Sequence, residues 1–170
     1  NRFVGCHPMA GSEKSGAAFA NPELFRDALC FMTRRDSKIE SLWRGVGAHP
    51  FVIDPDAHDA WVAHASHLPH VLAFLLFAGF PKPVGKGKNF QPNPSLRDLA
   101  RIARSAPGLW SEIFDSNRQE LLRASSQLEA RLNTFNRALK AGKFQAIERL
   151  IQESNRRSQN AFPPAPNKAR

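Results

Sequence analysis

Cysteine occurs only twice in these 170 residues, at Cys6 and Cys30, and neither stands in a CxxC or other ligand spacing. That excludes a disulfide framework and argues against a zinc site, leaving two small thiols suited to burial. No stretch approaches the roughly 18 uncharged apolar residues that a membrane span requires. The longest apolar run, Val71 to Phe80, suits a buried helix. No Gly-x-Gly-x-x-Gly and no His-Glu-x-x-His occurs, so both the dinucleotide-phosphate fingerprint and the zincin signature are missing. The opening Asn1-Arg2-Phe3-Val4 has neither an initiator methionine nor the shape of a signal peptide. It reads as a chain joined in mid-sequence, of a cytoplasmic protein.

What is present is ordinary for a globular chain: 42% hydrophobic and 23% charged residues, enough to bury a core in one domain and a little more. The net charge is +9. From residue 117 onward eleven basic side chains face four acids. They are scattered around helical faces with no aromatic interleaving, which describes a solvated surface rather than a nucleic-acid site.

Residues 1–54 have an α/β character. Ala28–Thr33 and Pro50–Asp54 are short, apolar and turn-bounded like buried strands, and Ser37–Gly45 between them has helical spacing. From Pro55 onward the pattern is helical. Asp54 is a good N-cap with Pro55 at the first helical position, and Pro69 predicts a kink. Gly79–Pro94 reads as a long loop, Ser95 as the cap of a helix to Arg104, and Ala106-Pro107 as the start of another. Leu121, Leu128, Leu132, Phe135 and Leu139 form an apolar seam that needs a partner helix, from its own chain or a second copy. After Ser154 the Asn/Arg/Pro-rich composition predicts disorder.

Three constellations carry chemistry. His7-Pro8-Met9-Ala10-Gly11-Ser12-Glu13-Lys14-Ser15-Gly16 puts a titratable imidazole at a strand exit, before a polar loop. A lone strand-end histidine is more often structural than catalytic. His64, His67 and His70 repeat at three-residue spacing in a helix, without the carboxylate or cysteine that zinc would need, and suit a polar pocket lining. Arg97, Arg101 and Arg104 share a face, and an arginine turned inward could grip a carboxylate in bidentate fashion.

Taken together, HPMAGSEKSG at 7–16, LWRGVGAHPFVIDPDAHD at 42–59, SHLPH at 66–70 and RIARSAPGLWSEIF at 101–114 resemble the prephenate/arogenate dehydrogenases over about residues 1–155. The resemblance implies a mainly α fold: a helical dimerisation domain like the C-terminal domain of 6-phosphogluconate dehydrogenase, preceded by a short α/β remnant of a dinucleotide-binding domain. The expected division is 1–54 for the remnant with its histidine loop, 55–156 for the helical substrate-binding and dimerisation domain, and 157–170 for a disordered tail. It implies NAD+- or NADP+-dependent oxidative decarboxylation of prephenate or arogenate in tyrosine biosynthesis, in a homodimer with no nucleic-acid or membrane partner. His7 matches the family's catalytic proton acceptor and Arg101 its carboxylate clamp. Ser12, Glu13, Ser66, His67, His70 and Trp110 match substrate-pocket positions. Two departures stand out. The cofactor fingerprint is missing, so the chain by itself is expected to be inactive, and Pro94 offers no amide on the approach to the Arg101 helix. A non-catalytic dimerisation or regulatory module derived from the family is the alternative reading.

Overall fold

The structure, a computed structural model, describes residues 3–11, 16–81 and 93–162. Ser12 and Glu13, and residues 82–92 of the expected long loop, lie outside the described residues. The fold is mainly helical with a small sheet at its start, as the resemblance implied.

Three strands form that sheet: β1 (Cys6–Pro8), β2 (Leu29–Met32) and β3 (His49–Val52). β1 pairs antiparallel to β2, with His7 opposite Phe31, and β2 pairs parallel to β3. The parallel pair is joined by α1 (Ser37–Gly45), because parallel neighbours need a crossover. Asp36 starts α1 by accepting from the amides of Lys38 and Ile39, which satisfies donors the helix itself leaves orphaned. Just ahead of β1 the Gly5 amide donates to Thr33 Oγ1 at 3.0 Å. A Cβ on Gly5 would lie 2.9 Å from Thr33 Cγ2, so only glycine lets β1 approach β2 this closely.

The helical part begins where Asp54 caps α2 (Pro55–Val62), its Oδ1 accepting from the amides of Asp56 and Ala57. α2 runs through one π-helical turn, Ala63–His67, into α3 (Leu68–Ala78). Pro69 explains the wide turn: its ring would clash with the carbonyl one turn back, and it has no amide to donate. The stretch Pro55–Ala78 is 24 residues long and, by length and composition alone, apolar enough to cross a bilayer. Its buried residues Val62, Ala63, His67 and Ala73 pack inside the protein.

α4 (Pro94–Ile102) is capped by Asn93, whose Oδ1 accepts from Leu96 at 2.8 Å, rather than by Ser95. Asn93 wins because Pro94 is pre-set for the first helical position and has no amide to lose there. α5 (Pro107–Ser116) leads through the buried Asn117 into α6 (Arg118–Lys140). α7 (Phe144–Ala161) continues past Ser154 to Ala161, so residues 157–161, expected to be disordered, are helical. Glu153 explains part of the extension, since it pairs with both Arg156 and Arg157 on the same helix.

The chain divides into two compact units, Asn1–Ala124 and Ser125–Arg170. In the first, Cys30, Phe31, Met32 and Ala48 of the sheet region are buried, as are Val62, Ala63 and Ala73 of the α2–α3 stretch. Phe31 is the hub, meeting Phe51, His58 and Trp61 edge-on at 6.2, 5.3 and 5.1 Å between ring centres. In the second unit α6 ends at Gly142, with φ +63°, where Lys143 donates to Ala138 and Gly142 to Leu139. This is the Schellman pattern, which needs a left-handed residue and hence favours glycine. This unit leaves Leu132, Leu139, Phe144 and Ile151 exposed.

Candidate active site

His7 lies on β1, and its cross-strand partner Phe31 touches His58 on α2. That register carries His7 to His58: His7 Nδ1 lies 2.8 Å from His58 Nε2, and His58 Nδ1 lies 2.8 Å from Asp59 Oδ1. The resulting chain His7–His58–Asp59 borders a cleft of about 270 Å3 whose floor includes Phe31, Met32 and Ile53. Burial, followed by the nearby His58, lowers the His7 pKa from its ordinary value, with Asp59 opposing. A desolvated imidazole favours its neutral form, the form that accepts a proton.

The second cluster sits at the π turn. The wide turn changes the angular step between successive residues, so the three-residue repeat does not form the expected stripe: His64 is exposed and His67 is buried. His70 is half-buried and stacks on Trp110 of α5, ring centres 3.5 Å apart and planes 20° from parallel. Its Nδ1 donates to the Ser66 carbonyl at 2.9 Å, because a carbonyl only accepts. Phe74 and Phe114 pack around Trp110 at 6.3 and 5.5 Å. Burial lowers the His70 pKa; the bond to Ser66 opposes this, and the positive charge of Arg101 adds to it. Arg101, in the last turn of α4, is exposed and has no carboxylate partner among the described residues.

Asn117 joins the clusters. Its amide donates to the Asp59 carbonyl at 2.8 Å and lies 3.3 Å from His67 Nδ1. His67 is likewise lowered, first by burial and then by His7 and His70, with Asp59 opposing. His67 thus lies within electrostatic reach of His7, His58 and His70. Of the site residues expected from sequence, the fold brings His7, His67, His70, Trp110 and the Ser66 backbone together, with the charge of Arg101 reaching His70. The polar loop with Ser12 and Glu13 falls outside the described residues. Sequence reasoning missed His58, Asp59 and Asn117. His58 and Asp59 stood in the DPDAHD segment, but nothing in a helical pattern says which strand residue will face them.

Residues 54–153, which hold both clusters apart from His7, match the family described as prephenate dehydrogenase, dimerization domain. The chain belongs to this family. It is 30% identical to the prephenate dehydrogenase of Lactococcus lactis over 158 residues, covering 91% of this chain and 44% of that protein. It is 33% identical to that of Bacillus subtilis over 134 residues, or 71% of this chain and 35% of the relative. The chain thus spans less than half the length of these curated relatives. Among solved structures it is similar to the prephenate dehydrogenase of A. aeolicus in complex with hydroxyphenyl propionate and NAD+. The TM-score is 0.76 at 29% identity, over 93% of this chain and 59% of that one. The prephenate dehydrogenase resemblance therefore covers the small sheet as well as the helices.

Proposed function

We propose that this chain supplies the substrate pocket and dimer interface of a cytoplasmic prephenate dehydrogenase, which converts prephenate to 4-hydroxyphenylpyruvate and CO2. The observation that carries the reading is a strand-end histidine bonded to His58, its pKa lowered first by desolvation, beside a cleft lined largely by apolar side chains, in a chain of this family. NAD+ or NADP+, when bound, accepts the hydride from the ring carbon bearing the hydroxyl. The cleft beside His7 is lined by Phe31, Met32 and Ile53, which suits the face of a substrate ring. With no Gly-rich phosphate loop in the sequence, the pyrophosphate requires a further domain, and the isolated chain is expected to be inactive.

The residues of this chain have distinct tasks in that reaction. His7 takes the hydroxyl proton as the hydride departs, and the electrons of the breaking bond to the ring carboxylate complete the aromatic ring. Aromatisation supplies the driving force, so the protein mainly orients the substrate and relieves it of one proton. Arg101 is suited to a substrate carboxylate: it has no carboxylate partner among the described residues, and a guanidinium grips such a group in a two-point fork. The stacked pair His70–Trp110 offers a flat wall, and the Ser66 carbonyl holds His70 in place. Ser12 and Glu13 complete the pocket as the family resemblance implies. The exposed leucines and Phe144 of the second unit supply the interface of a homodimer.

His7→Asn in the enzyme complete with its dinucleotide-binding domain tests this. Asparagine preserves a polar group of similar reach but takes no proton, so kcat should fall by roughly 10²–10⁴ with KM within a few-fold. The acidic limb of the pH profile should vanish and melting should stay near that of the parent. A variant that melts early yet turns over normally below its melting point would make His7 scaffolding and overturn the reading.

A further inference from the structure

The His7–His58–Asp59 chain has a direction. A carboxylate only accepts hydrogen bonds, so the 2.8 Å contact of Asp59 Oδ1 requires the proton on His58 Nδ1. The other nitrogen of His58, Nε2, then presents a lone pair, and the 2.8 Å contact with His7 requires the proton on His7 Nδ1. The reverse order would set a lone pair of His58 against the carboxylate. For a neutral His58 no other order satisfies both contacts. We propose that His58 and Asp59 are positioning residues that lock His7 in the Nδ1–H tautomer, holding its Nε2 lone pair ready for the substrate proton.

Free histidine in water favours the opposite tautomer, so the preference has to be imposed by a partner. Three features suit His58 to this. Its side chain is only 21% exposed, so water competes weakly for its ring nitrogens. Phe31 packs edge-on against its ring at 5.3 Å, fixing its plane. Its backbone lies in the first turns of a helix whose start is capped by Asp54. Asp59 is half-exposed, which leaves it solvated while it orients a ring that is not.

This rests on the reading of His7 as proton acceptor, and the test separates the two. In the complete enzyme labelled with 15N-histidine, the ring spectra at pH 8 report which nitrogen of His7 carries the proton, with His7→Asn identifying its signals. The parent should carry it on Nδ1. His58→Ala should move it to Nε2 and lower kcat about 10–100-fold, leaving KM within about threefold. Asp59→Asn, whose amide can donate to His58 Nδ1 and reverse the chain, should do the same; the equivalent change in a catalytic triad acts by imposing the wrong tautomer. His58→Gln, whose carbonyl can still accept from Nδ1, should retain the tautomer and hold kcat within about tenfold of the parent. A parent enzyme with the proton on Nε2, or a His58→Ala enzyme with an unchanged His7 tautomer, would overturn the proposal whatever kcat does. Normal turnover in His7→Asn would instead sink the catalytic reading and leave the tautomer result standing.

Discussion

Replacing Asn117 by alanine removes a buried amide that donates to the Asp59 carbonyl at 2.8 Å and approaches His67 Nδ1 at 3.3 Å. The two losses are unequal. The Asp59 carbonyl also accepts from the Ala63 amide, so it retains a partner and the loss is about 0.5–1 kcal/mol. His67 is only 7% exposed; losing its Nδ1 partner leaves a buried ring nitrogen unpaired, whichever tautomer it adopts. That costs about 1–2 kcal/mol, at the lower end because the contact is long. The sum is about 2 kcal/mol, read as a shift in the urea midpoint at pH 8 with an unchanged m-value. A loss below about 0.5 kcal/mol would refute the bridging role. Asn117→Asp sharpens the test. Its carboxylate cannot donate to the Asp59 carbonyl, but as an acceptor beside His67 it favours the imidazolium, turning a lowered histidine pKa into a raised one. A histidine with a raised pKa contributes stability below its unfolded value that is lost as pH rises. The deficit of Asn117→Asp should therefore be largest near pH 8 and shrink toward pH 6, and a deficit flat in pH would contradict the geometry.

Arg101→Ala should raise KM for substrate about 10–100-fold with kcat little changed, because a carboxylate clamp acts in the ground state as well; unchanged KM in a normally folded variant would return Arg101 to the solvated surface. His7, His67 and His70 all have lowered pKa values in the folded protein. The unfolded chain then binds more protons below about pH 6.5, the ordinary histidine value. Stability is full above that pH and falls as pH drops through it, levelling once the folded-state values are passed. The slope corresponds to at most three protons. Urea midpoints from pH 8 to pH 5 measure this, and stability that rises toward acid would contradict it. Sedimentation equilibrium should find a dimer at tens of micromolar (roughly), with Leu132→Glu shifting it to monomer; a monomeric parent would remove the interface assigned to the exposed apolar residues of the second unit.

Periodicity and caps made much of the fold readable in advance. The strands around Leu29–Met32 and His49–Val52 show as short apolar runs bounded by turns, while the helix Ser37–Gly45 and the start of α2 at Asp54-Pro55 rest on caps within a few residues, so local chemistry marks all of them. Helix ends were less secure. At Asn93 against Ser95 two capable caps stood two residues apart, and the fit of Pro94 to the first helical position decided. At α7, composition predicted disorder after Ser154, but the pairs of Glu153 with Arg156 and Arg157 carry the helix to Ala161.

The sequence by itself determined the residue types of the candidate site and their family: His7 ahead of a polar loop, the histidines around Pro69, Arg101 and Trp110, and the missing phosphate fingerprint. These are short-range patterns, each held within about fifteen residues of chain. Only the tertiary structure decided who meets whom. His7 and His58 are 51 positions apart, and Asn117 and His67 are 50. Their contacts depend on strand register, on the seat of Phe31 against α2, and on a π turn that rotates His64 outward and His67 inward. Pro69 opens that turn locally, but which side chains the shift buries depends on what packs against them. Phase is set by the packing of the whole unit around Pro69.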